Sequence, residues 1–135
     1  MKTINIIAIA AAVVVVIVLS SVQSRREGAP PPYNAAAESK VSGVVLETPE
    51  FFCPVSEDQG AHLLLRTERG ELLVHVAPGR FLRSEGFRFS PNDQVSVVGT
   101  MIHYHDRDAM LAREITRGNE VLIVRDRQGA PLWKK

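Results

Sequence analysis

The chain has 135 residues, with 16 basic and 15 acidic side chains and a formal net charge of +1. That length suits one domain, and the near balance of charge excludes the basic footprint on which nucleic-acid binding depends. A single cysteine, Cys53, excludes an internal disulfide.

The first element is the apolar run Ile4 to Leu19, "INIIAIAAAVVVVIVL", interrupted only by Asn5 and preceded by Lys2. Extended through Val22, it reaches the roughly 20 residues needed to cross a bilayer as a helix. Residues 1–24 therefore read as an uncleaved transmembrane signal anchor or as a cleaved signal peptide. Val18-Leu19-Ser20 and Val22-Gln23-Ser24 each end on a small residue, as a cleavage site requires. The first reading predicts a single-pass protein of the cell inner membrane with its domain in the periplasm. The second predicts secretion. Residues 25–39, "RREGAPPPYNAAAES", offer three consecutive prolines and little to bury, the composition of an extended tether.

The folded domain is expected over residues 40–135. Leaving out Lys2, Arg25, Arg26, Glu27 and Glu38 makes its basic and acidic counts equal. "KVSGVVLE" (40–47) is a β-branched run. "AHLLLRT" (61–67) and "ELLVHVAP" (71–78) flank a turn predicted at Arg69-Gly70. Period-two alternation puts Leu63, Leu65, Leu72, Val74 and Val76 on the core face. Phe81, Leu82 and Glu85 suit a short helix within residues 79–87, with Gly86 as its stop. Strands follow at 94–104, 109–116 and 120–126, and the tail "RQGAPLWKK" ends near Trp133. Three strands, a short helix and two more strands form the order of an OB-fold, a mainly β Greek-key barrel with its helix between strands 3 and 4. A small sandwich is the alternative if residues 79–87 are loop.

From Ser42 onward, "GVVLE", "HLLLRT", "LLVHVAP", "SPNDQVSVVGT", "LAREI" and "VRDRQGAPLW" resemble a family of small bacterial exported proteins with an OB-like barrel. The resemblance implies export, that fold and a binding role, and it supplies no catalytic residues. The haem chaperone of cytochrome c maturation also joins an N-terminal anchor to an exported OB-like barrel. It carries a histidine followed four residues later by a tyrosine. Here Tyr104 follows His103 directly and no histidine lies beyond His105, which departs from that pattern.

Candidate site residues are few. In "HYHDRD" (103–108), His103 and His105 share one face if both lie in a strand, with Asp106 or Asp108 as further donors for a metal. The competing reading is a polar hairpin tip. His62 and His75 fall on the outer sheet face, diagonal to one another at about 7–8 Å if the turn is Arg69-Gly70. With Trp133 they are the candidates for a ligand face, although Trp133, after Pro131, is expected to fold back and seal one end of the barrel, the anchor being its alternative role. Cys53, beside Phe51, Phe52 and Pro54, reads as a small buried hydrophobe. Arg113 with Glu114, and Arg125 with Asp126, are expected surface pairs. No phosphate loop, nucleophile elbow or zinc-protease motif occurs. The resulting expectation is a non-enzymatic, membrane-tethered OB-like module that recognises a protein or small ligand, with no cofactor and no nucleic acid. The alternatives are a periplasmic metal- or haem-handling protein using His103/His105 or His62/His75, and an accessory subunit of an envelope complex.

Overall fold

A computed structural model describes residues 28–134. The predicted signal segment, residues 1–24, and the start of the tether lie outside the described residues. No helix among those described is long and apolar enough to cross a membrane.

Among the described residues, seven strands and one α-helix follow in order: β1 (Glu38–Glu47), β2 (Glu50–Cys53), β3 (Asp58–Thr67), β4 (Gly70–Pro78), α1 (Gly79–Ser84), β5 (Gln94–Tyr104), β6 (Arg107–Arg117) and β7 (Glu120–Ile123). β1 pairs antiparallel with both β3 and β5. β3 pairs with β4, and β5 with β6, also antiparallel. A parallel pairing of β4 with β6 completes the ring. The five strands β1, β3, β4, β6 and β5 thus close a barrel with α1 between its third and fourth strands, the OB topology. β7 adds to β6, and the short β2 adds to the outside of β3.

The alternation in "HLLLRT" and "ELLVHVAP" does what it predicts. Leu63, Leu65, Leu72, Val74 and Val76 are buried and join Val97, Met110 and Ile115 in one core. The hairpin register differs from the expected one. Thr67 pairs with Gly70, so Glu68-Arg69 is the two-residue turn. The Thr67 hydroxyl donates to the Gly70 carbonyl at 2.7 Å and fixes it there.

The later part of the segment predicted as an extended tether, residues 25–39, is structured. Asn34 caps a 3-10 turn at Ala35–Ala37, and β1 begins at Glu38. The Tyr33 hydroxyl donates to Glu38 at 2.6 Å, and Thr100 donates to the Asn34 carbonyl at 2.9 Å, so the arm is packed on the barrel from Tyr33 onward. Arg113 does contact Glu114, at 3.4 Å, but its closer partner is Glu38, at 2.6 Å. Arg125 does not pair with Asp126. Its Nη1 donates to the Gly129 carbonyl at 2.8 Å, while Asp126 accepts from the backbone of Gln128 and Ala130.

Gly99 stands where the β5–β6 register shifts. A Cβ there would overlap the Leu111 backbone carbonyl, which cannot move without breaking the ladder. Gly99→Val is expected to destabilise the barrel by at least about 2 kcal/mol, read as a lower urea midpoint.

Candidate metal centre

The site forms where the small strand β2 lies against β3. Cys53 pairs with Asp58 and Phe51 with Gly60. Gly60 permits this approach, since a Cβ on it would stand 2.7 Å from the Cys53 Cβ and 3.0 Å from the His62 ring. Beyond a register shift at Ala61/His62, His62 pairs with His75 and Leu63 with Val74, and the His62 amide donates to the Pro49 carbonyl at 3.0 Å. Leu63 faces the barrel core, while His62 keeps the opposite, outer face that alternation assigns to it. Both are about 1% exposed, because Phe51 of β2 stacks over His62.

His62 and His75 are direct cross-strand partners, closer than the diagonal pair expected from the sequence. His62 Nε2 lies 3.1 Å from His75 Nδ1, and Cys53 Sγ lies 3.2 Å from that same nitrogen. One donor atom from each of Cys53, His62 and His75 falls within 4.8 Å of the others, the one such three-donor set among the described residues. Cys53 is buried as its apolar neighbours imply, but its sulfur faces two imidazoles brought by other strands. In a tetrahedral site with metal–nitrogen bonds near 2.0–2.1 Å and metal–sulfur near 2.3 Å, neighbouring donors stand roughly 3.3–3.6 Å apart. The two separations to His75 Nδ1 need only a few tenths of an ångström of adjustment, whereas Cys53 Sγ and His62 Nε2, within 4.8 Å of one another, must draw together further on binding.

The surroundings are largely closed to solvent. Phe51 stacks on His62, with ring centroids 3.8 Å apart and planes within 7°. Cys53, His62, His75, Ser56, Arg125 and Trp133 help to line a cavity of about 10 Å3, about the room one water molecule needs. His62 Nδ1 is buried without a hydrogen-bond partner. If His62 carries its proton on Nε2, Nδ1 is an acceptor with no donor. In the other tautomer it is a donor with no acceptor. Burial disfavours the charged ring, while the Gly60 and Pro49 backbone groups act in the opposite direction. His62 also borders a groove of about 340 Å3 with Glu50, Arg83 and Phe87, a route from solvent to its ring.

Burial holds both imidazoles neutral. Desolvation lowers the pKa of His62, and desolvation together with the neighbouring His62 lowers that of His75 to about 4. Both folded values lie below the unfolded one, so the unfolded chain takes up protons first as pH falls. The stability associated with His75 is therefore complete above about pH 6.5 and declines towards pH 4. The metal-free protein is expected to lose up to about 3 kcal/mol across that window. Urea midpoints at pH 7.5 and pH 5 test this, and His75→Gln should flatten the dependence.

The other candidates lie elsewhere. His103 pairs with Asp108 and Tyr104 with Arg107, leaving His105-Asp106 as a two-residue turn. Both turn residues have positive φ, 51° and 56°, the backbone of a hairpin tip. His105 therefore leaves the strand before it can share a face with His103. His103 Nδ1 instead contacts the Asp108 carboxylate at 2.9 Å, with both side chains exposed. Trp133 is 7% exposed and belongs to the core, so it is no surface anchor. Sequence reasoning did not place Cys53 or Arg125 beside the two histidines, where the structure brings them.

A model described as the MamS/MamX magnetosome protein family matches residues 37–122, from the start of β1 into β7. The chain belongs to the MamS/MamX magnetosome protein family. The match contains Cys53, His62 and His75, whereas Arg125 and Trp133 lie beyond its end. No curated protein matches this MamS/MamX-family chain. Among solved structures, the dimeric N-terminal domain of PriB protein from Thermoanaerobacter tencongensis is similar at 19% identity and a TM-score of 0.48, covering 63% of this chain and 99% of that one.

Proposed function

We propose that this MamS/MamX-family protein is a non-enzymatic, membrane-tethered module outside the cytoplasm whose small ligand is a thiophilic transition-metal ion. The apolar run at residues 4–19 motivates the tether and the compartment. The observation that carries the metal reading is the convergence of Cys53, His62 and His75 in a buried cavity. One thiolate and two neutral imidazoles suit Cu(I) or Zn(II) and suit magnesium, calcium or manganese poorly. The cavity, about 10 Å3, has room for an ion and none for a haem. The low pKa values of the histidines favour their role, since a ligating imidazole must be free of its proton.

Metal coordination by His62 Nε2 would place the ring proton on Nδ1. Titration of Co(II) into the reduced full-length chain tests the reading. One equivalent should give a thiolate-to-cobalt charge-transfer band and raise the melting temperature. Absence of the band, together with no competition for Cu(I) against a chromophoric chelator, would refute the proposal.

A further inference from the structure

Arg125 is a buried cation with no carboxylate. It is 7% exposed, and among the described residues no acidic group forms an ion pair with it. Its guanidinium sits 5.2 Å from the Tyr33 ring centre and 5.0 Å from that of Trp133. Nη1 donates to the Gly129 carbonyl at 2.8 Å, while Nε is buried without an acceptor. The same residue lines the cavity of Cys53, His62 and His75. A cation without an acidic partner is expensive to bury, and the Cys53 sulfur, which would bind a metal as thiolate, lines the same cavity.

We propose that Arg125 makes the Cys53–His62–His75 centre select monovalent copper, Cu(I), over divalent ions. The proposal rests on the metal-binding reading above. Thiolate and guanidinium together are neutral. A monovalent ion leaves the buried unit at +1, and a divalent ion leaves it at +2. Each additional unit of like charge is repelled by Arg125 across a poorly screened interior, a penalty on the order of 10- to 100-fold in affinity. Coordination acts in the same direction. The described residues bring three donors together, Zn(II) normally requires a fourth, and a cavity of about 10 Å3 leaves little space for one beside the ion. A soft monovalent ion is content with few thiolate and imidazole donors.

The test is the ratio of Zn(II) to Cu(I) dissociation constants, measured by chelator competition on the full chain and on Arg125→Met and Arg125→Lys. Arg125→Met is expected to lower the ratio by roughly 10- to 100-fold, and Arg125→Lys to leave it near the wild-type value. Arg125→Gln, which keeps a donor for Gly129, replaces the methionine variant if that variant lacks a cooperative melt. An unchanged ratio in a folded neutral variant overturns the role of Arg125 while leaving the metal site standing. Failure of the wild-type chain to bind either metal refutes the site itself.

Discussion

Cys53→Ala is expected to lower Cu(I) affinity by roughly 100- to 1,000-fold, since one ligand carries a substantial share of a metal-binding energy that runs to about 10 kcal/mol or more. The barrel should nonetheless remain folded. Cys53 lies on β2, outside the five-strand ring, and its side chain is small, so its loss is expected to cost about 1–2 kcal/mol at most. The two readouts separate ligand from scaffold. Affinity measured by chelator competition should collapse while the urea midpoint of the metal-free chain moves little. His75→Ala should reduce affinity comparably, because His75 Nδ1 is the atom that both other donors approach. A fall in stability without a fall in affinity would make Cys53 the buried hydrophobe that its neighbours suggest.

Trp133→Ala should produce the largest loss of stability, about 3–5 kcal/mol, as is typical for removing a buried aromatic. The indole is 7% exposed, packs edge-on against Phe81 of α1 and covers the Arg125 guanidinium. The tail is held there by Leu132 donating to Val124 at 3.0 Å and by a bridge between Arg125 and Pro131. In a domain of this size such a loss lowers the melting temperature by more than about 10 °C. Trp133→Phe should cost much less. Indole Nε1 is buried without a partner, so the phenyl ring gives up volume but no hydrogen bond. Melting curves of the two variants check both the size of the effect and its origin in packing.

Most of the barrel is legible from residue patterns because its signals are local. Leu63, Leu65, Leu72, Val74 and Val76 alternate, Leu82 and Gly86 mark a short helix and its end, and every barrel strand lies near its expected run. β2 was harder to see, since four residues, Glu50–Cys53, carry too little pattern to distinguish a strand from an apolar loop. The centre itself is assembled by non-local events. It needs the Thr67–Gly70 pairing in place of a turn at Arg69-Gly70, the shift at Ala61/His62, and a strand that brings Cys53 over Gly60. No spacing among residues 53, 62 and 75 announces those three steps. The buried state of Arg125 is hidden for a similar reason. Its shelter comes from Tyr33 and Trp133, near opposite ends of the described chain. By contrast, "HYHDRD" draws the eye because its histidines are close in sequence, and the positive φ of His105 separates them.

X-ray absorption of the full chain loaded with one equivalent of Cu(I) tests the central claim most directly. The expected first coordination shell is one sulfur and two imidazole nitrogens, with the sulfur contribution lost in Cys53→Ala. A shell of oxygen and nitrogen alone, or one unchanged by that substitution, would contradict it.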